Sequence, residues 1–128
     1  MKAGEKQMSV LILVLLSVSI AVSGQLIMKK GMNTIGFITI GEVFSIKIFS
    51  IIFQKYVFIG FMLYLLASLI WLVVISQEEL SFVYPLIAIG YILTTILSKL
   101  IFNESLSMFR FFGILLICSG VYLIVLKI

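Results

Sequence analysis

Five carboxylates stand in this chain, Glu5, Glu42, Glu78, Glu79 and Glu104, and none lies deep within an apolar stretch. Paired acids for general acid and base work are therefore missing from the places where lipid or protein could tune them. With no histidine and only Cys118, there is no basis for a zinc cluster, an intramolecular disulfide or a cysteine–histidine nucleophile pair. Proton-coupled carriers of cations bury an acid whose pKa the membrane raises. The nearest candidate is Glu104, whose plainer reading is a solvated turn or a helix cap.

Uncharged polar and aromatic residues are better placed. Ser23 and Gln25, then Tyr64, Ser68 and Trp71, then Tyr84, Tyr91, Thr94 and Thr95 fall inside long apolar runs. Such groups can orient a hydroxyl-rich ligand, although each alone also suits an interhelical hydrogen bond or an interface aromatic. Gln25 carries the sharper demand: a primary amide about one turn inside a membrane boundary must find partners, in the protein or on a ligand. Lys29, Lys30, Lys99 and Arg110 sit at ends of runs that belong on one side of the bilayer, where they could hold a phosphate or form an ordinary belt against lipid headgroups.

Two further features concern the backbone. Pro85 lies early in the third run and removes a donor there, which either breaks the helix and exposes carbonyls or is harmless in a first turn. Gly113 and Gly120, seven apart with Ser119 adjacent, put a small-residue face on the fourth run that fits packing within the bundle or across a dimer.

The elements that must position these residues follow from charge spacing. Hydrophobic residues make up 63% of 128 positions and charged residues 11%, a balance unsuited to a water-facing surface. A charge in mid-bilayer costs a few kcal/mol or more, and a span needs roughly 20 apolar residues, so the charges act as rulers. They give spans at about 8–28, 56–77, 80–101 and 106–126, within one transmembrane domain covering 1–128. Arg110 snorkels to the interface at the start of the fourth. So short a chain cannot close a lipid-exposed barrel, and the runs do not alternate, so the class is an all-α membrane protein, a bundle of four transmembrane helices. A signal peptide is the rival reading of the first run, given Lys2, Lys6 and Ala21-Val22-Ser23, but the run is long and Lys29-Lys30 closes it as a membrane boundary does.

Residues 33–54 are apolar yet interrupted by Gly36, Gly41, Glu42 and Lys47. A helix in the second half would align Lys47, Ser50 and Gln54 as a polar stripe opposite Ile46, Phe49, Ile52 and Phe53, which suits an interfacial helix. A greasy loop and a fifth span are the alternatives. The short links at Gln77–Glu79 and Asn103–Ser105 make neighbouring helices antiparallel. Lys2, Lys6 and Lys127 then lie on one face, and Lys29, Lys30, Lys47, Lys55, Lys99 and Arg110 on the other, which places both termini outside the cytoplasm. The scattered cations form no continuous stripe for nucleic acid.

Several motifs resemble a known group. GILLICSGV, from Gly113 to Val121, is similar to the glycine-spaced last helix of small multidrug resistance transporters, where it forms the dimer contact, and GQLIMKKG, from Gly24 to Gly31, is similar to the end of their first helix. The position three before Gly24, where multidrug members carry an essential membrane glutamate, is Ala21 here. A closer resemblance, within the same drug/metabolite transporter superfamily, is to the undecaprenyl-phosphate aminoarabinose flippase subunits. It rests on Val22-Ser23-Gly24-Gln25-Leu26, on Tyr84-Pro85, on Asn103 to Ser107 and on the longer, partly polar link after the first span.

The resemblance implies a carrier of the bacterial cytoplasmic (inner) membrane, without enzymatic activity or cofactor, that moves a lipid-linked sugar by alternating access. It implies half a carrier, completed by a second copy or a paralogous four-helix subunit. Lys29, Lys99 and Arg110 would neutralise the phosphate, while Gln25 and Tyr84 would meet the head group. The rivals are a small exporter of organic cations, which Ala21 opposes, and a non-transporting accessory subunit of a glycosyltransferase.

Overall fold

The computed structural model describes residues 3–126; Lys2 and Lys127, counted above for topology, lie outside them. Seven helices follow in order: α1 Ala3–Ile35, α2 Ile40–Val43, α3 Lys47–Ile52, α4 Lys55–Gln77, α5 Leu80–Leu86, α6 Ala88–Phe102 and α7 Met108–Leu126. Four stretches are long and apolar enough to cross a membrane: Gly4–Ile35, Lys55–Gln77, Leu80–Phe102 and Met108–Leu126, the third made of α5 and α6 together. The first helix runs well past Lys29 and Lys30. At 1.5 Å per residue its 33 residues extend about 50 Å, longer than a bilayer core requires.

The molecule is organised on the antiparallel pair α1 and α4. Their seam repeats every seven residues: Val10, Ser17, Gly24 and Gly31 on α1 are buried, as are Val74, Ala67 and Gly60 on α4. From Ser17 to Gly24 a step of seven along α1 is matched by a step of seven back along α4, from Ala67 to Gly60. Ser17 Oγ donates to the Ala67 carbonyl at 2.9 Å, Gly24 faces Gly60, and Gly31 faces Val57. A seven-residue repeat keeps one face of a slightly underwound helix on its partner. Hydrocarbon gives no hydrophobic push between helices, so close packing of small residues and the interhelical hydrogen bond hold them together.

A second row on α1, Val14, Val18 and Val22, takes α5 and α6. Val83, Leu86 and Val74 complete the buried cluster, and Gly90 comes close enough that a Cβ there would meet Val18 Cγ1 at 3.1 Å. The third span is interrupted at Ile87, two residues after Pro85. There the Ile87 N–H donates to the Tyr84 carbonyl and the Gly90 N–H to the Ile87 carbonyl, both spanning three residues instead of four. Asn103 ends α6 in the left-handed conformation at φ 54°, and Ser107 opens α7, its Oγ accepting from the Arg110 N–H at 3.3 Å. Helix α7 is outermost, with no buried residue, and touches α5 and α6.

The link is no featureless loop and holds no fifth span, and its second half is helical over Lys47–Ile52. It forms two short helices, and the expected Lys47–Ser50–Gln54 stripe does not exist as one face. Gln54 leaves α3 to cap α4, its Oε1 accepting from the Tyr56 and Val57 N–H groups at 2.9 Å each. Ser50 Oγ donates to the Lys47 carbonyl at 2.7 Å. Lys47 Nζ pairs with Glu42 at 2.7 Å, and the Glu42 carboxylate also accepts from the Thr39 N–H at 2.8 Å and hydroxyl at 3.1 Å. The Lys47 hydrogen bond first, and then the Thr39 donors, lower the Glu42 pKa from 4.5 to about 2.

Candidate functional site

Between α1, α4 and the broken third span lies a cleft of about 370 Å³. That size falls within the roughly 300–1,000 Å³ of ligand pockets. Its floor is made of residues too small to fill it: Ser17, Ala21, Ala67, Ser68 and Gly90. Its walls are Tyr64 and Trp71 from α4, Tyr84 from α5 and Tyr91 from α6. The α4–α5 turn at Glu78–Glu79 folds Tyr84 back so that its ring meets Trp71 edge to face, with centroids 6.5 Å apart. Tyr84 and Tyr91 are 61% and 63% exposed, so the cleft opens sideways onto the surface that faces lipid or another subunit.

The polar groups of the cleft divide into two sets. Ser17 and Ser68 spend their hydroxyls on the carbonyls of Ala67 and Tyr64, which fixes helices and offers little to a ligand, and Thr95, which donates to the Tyr91 carbonyl, does not line the cleft. Ser23 likewise donates to the Ser19 carbonyl and does not line the cleft. The Gln25 amide and the Tyr64, Tyr84 and Tyr91 hydroxyls make no side-chain hydrogen bond among the described residues, and all four line the cleft with Thr94. They form a set of donors and acceptors in a wall that is otherwise aromatic and aliphatic. No lining residue carries a charge, and Ala21 is itself part of the floor.

The cations stand apart. Lys29, Lys99 and Arg110 are exposed and do not line the cleft, so the structure brings together Gln25 and Tyr84 but not these three with them. Lys29 is one helical turn beyond Gln25 and borders a shallow recess with Met32, Asn33, Gly36, Phe37 and Ile38. Helices α1 and α6 run in the same direction, with Gly90 against Val18 and Val22. That register puts Lys99 near the depth of Lys29, at the cation-rich end of the bundle. Arg110 turns along its own loop, its Nη1 donating to the Ser105 carbonyl at 3.2 Å. At the same end Lys30 Nζ lies 4.6 Å from the centre of the Tyr56 ring, and Lys55 Nζ lies 5.9 Å from it.

Glu104 is exposed in the α6–α7 loop rather than between helices. At the opposite end of the bundle Lys6 Nζ pairs with Glu78 at 3.7 Å. No cluster able to hold a metal occurs among the described residues. Gly113 and Gly120 have open space where a Cβ would stand, so neither packs against another helix of this chain. Sequence reasoning missed Ser17, Ala67 and the Gly24–Gly60 contact. The signal was present in the seven-residue spacing of Val10, Ser17, Gly24 and Gly31 against Gly60, Ala67 and Val74.

Comparison with known proteins adds a direction. The chain is 31% identical over 56 residues to the probable 4-amino-4-deoxy-L-arabinose-phosphoundecaprenol flippase subunit ArnE of Pseudomonas fluorescens strain Pf0-1, covering 44% of this chain and 49% of that one. It is 38% identical over 55 residues to the subunit ArnE of Pectobacterium atrosepticum, covering 43% and 49%. It is 37% identical over 70 residues to the subunit ArnF of Proteus mirabilis, covering 53% of each. The chain spans about half the length of the curated relatives it matches. No family model and no solved structure matches it. Over that stretch this four-span membrane protein is similar to proteins named as subunits of a flippase for aminoarabinose-phosphoundecaprenol.

Proposed function

We propose that this chain is a subunit of a carrier in the bacterial cytoplasmic membrane that moves a lipid-linked sugar, a polyprenyl-phosphate glycoside such as aminoarabinose, across the bilayer by alternating access. The observation that carries the reading is a polar, aromatic, acid-free cleft that opens sideways, with its free amide at Gln25. A sugar head crossing hydrocarbon must shed water, and each unpaired hydroxyl costs several kcal/mol there, so a wall of unspent donors and acceptors replaces what water supplied. Tyrosine and tryptophan rings cover the apolar faces of a pyranose, while the polyprenyl tail stays in lipid through the lateral opening.

The phosphate needs cations rather than acids. Gln25 and Tyr84 meet the head group, and Lys29, Lys99 and Arg110 receive the phosphate at the cation-rich end as the complex cycles. This is transport without covalent chemistry. Four spans supply half of the two-part arrangement that alternating access uses, so a second copy or a paralogous four-helix subunit completes the site. The bare face at Gly113 and Gly120 on α7 suits that contact.

Reconstitution in liposomes, alone and with a paralogous partner, tests the reading through protection of the sugar from a membrane-impermeant oxidant. Wild-type protein should move the lipid. Gln25→Ala and Lys99→Ala should each slow it on the order of tenfold, the loss expected for about 1.4 kcal/mol of head-group binding. Absence of movement in every pairing defeats the proposal, and co-purification with a glycosyltransferase in its place would favour an accessory role.

A further inference from the structure

The link between α1 and α4 has an unusual division of its side chains. Phe37, Ile40, Phe44, Ile46, Phe49 and Phe53 are 95, 81, 87, 85, 62 and 69% exposed. Every polar side chain from Thr39 to Ser50 is meanwhile spent inside the link. Glu42 takes Thr39 and Lys47, Ser45 Oγ donates to the Glu42 carbonyl at 2.7 Å, and Ser50 to that of Lys47. A water-facing segment shows the reverse, with polar groups outward and apolar groups folded in. Satisfying polar groups internally is what a segment needs before it can leave water.

The depth of the link follows from the α1–α4 register. Gly31 packs on Val57 and Lys30 lies over Tyr56, so Lys29, Lys30, Lys55 and Tyr56 form one belt at the membrane boundary. Helix α1 ends at Ile35, four residues or about 6 Å beyond Gly31, and α4 begins at Lys55 within the belt. Both ends of the link are therefore fastened at headgroup level. The apolar patch also runs on into the spanning surface, because Phe53 stacks on Phe58 of α4 with centroids 6.1 Å apart and planes 16° from parallel.

We propose that residues 37–53 form an in-plane anchor whose exposed aromatic and aliphatic side chains sit in the headgroup and upper acyl region of the cation-rich leaflet. The occupant of this surface is lipid, with the lysine belt beside anionic headgroups. The anchor does not depend on what the cleft carries, so failure of a transport assay leaves it standing.

Nitroxide labels at Phe44→Cys and Phe49→Cys, in full-length Cys118→Ser protein in phosphatidylglycerol-containing vesicles, test the anchor by collision with oxygen and with a water-soluble nickel chelate. A label at Glu104→Cys, in the exposed α6–α7 loop, is the aqueous control. Oxygen should dominate at 44 and 49 and the chelate at 104. Dominance of the chelate at 44 and 49, or exclusion of both reagents by a second copy or another protein, overturns the proposal. Should labelling perturb the fold, Phe44→Trp in a Trp71→Phe chain gives a second readout. Its emission should be quenched by lipids brominated on the acyl chain, and quenching only by aqueous acrylamide overturns the anchor equally.

Discussion

Gly24 and Gly60 meet backbone to backbone across the α1–α4 seam. A Cβ on Gly24 would lie 2.8 Å from the Gly60 carbonyl oxygen, and one on Gly60 would lie 2.5 Å from that of Gly24. Neither obstacle is a flexible side chain, so the helices must separate to admit a methyl group.

Gly24→Ala and Gly60→Ala should therefore each destabilise the fold by about 1–2 kcal/mol, the overpacking loss less the helix preference of alanine. Gly113→Ala, with nothing near the new methyl within the chain, should not lower monomer stability and gains alanine's helix preference, up to about 1 kcal/mol. Unfolding curves in detergent micelles check both, and equal stability of Gly24→Ala and Gly113→Ala would contradict the seam.

Seven residues before Gly24, Ser17 is buried and its hydroxyl reaches the Ala67 carbonyl. Ser17→Ala should cost about 0.6 kcal/mol, the usual worth of an interhelical hydrogen bond in a membrane. Ser68→Ala, which removes a bond only to its own helix, should cost less. The same unfolding measurement compares them.

Lys47 and Thr39 hold Glu42 at a pKa of about 2, against an ordinary 4.5. A carboxylate with a depressed folded pKa stabilises the clip above the ordinary value and loses that contribution as pH falls through the folded one. The Glu42–Lys47 contact should thus persist through pH 4 and fail toward pH 2. Carboxyl chemical shifts follow it directly, and Lys47→Ala should move the midpoint of Glu42 back toward 4.5.

Ala21 lines the cleft three residues before Gly24. Ala21→Glu should place an acid among Tyr64, Trp71 and Tyr84. The variant should lose lipid transport and gain pH-dependent binding of an organic cation, stronger at high pH where the acid is charged. Calorimetric titration across pH checks this, and cation binding by the wild type at equal strength would remove the argument from Ala21.

Hydropathy and charge were enough for the number of spans and the helical class, because a bilayer sorts residues locally: an ion either sits near a boundary or carries a penalty. The motif at Gly24 to Leu26 likewise marked Gln25 before any fold was known. The cleft was only half legible. Tyr64, Trp71, Tyr84, Tyr91 and Thr94 stood out as polar or aromatic residues inside spans, but Ala21, Ala67 and Gly90 are part of the site by being small, which no single run announces.

What the sequence determined by itself was therefore a one-body fact repeated along the chain, the preference of each stretch for lipid or water. What only the tertiary structure decided were the pair relations. Gly24 meets Gly60, Ser17 and Thr95 spend hydroxyls that Gln25 and Tyr84 keep, Gln54 caps α4 rather than facing water, and the lysines stand outside the cleft. In hydrocarbon those relations follow from which small residues allow two backbones to touch, and that depends on the register between helices, a quantity that exists only once both are in place.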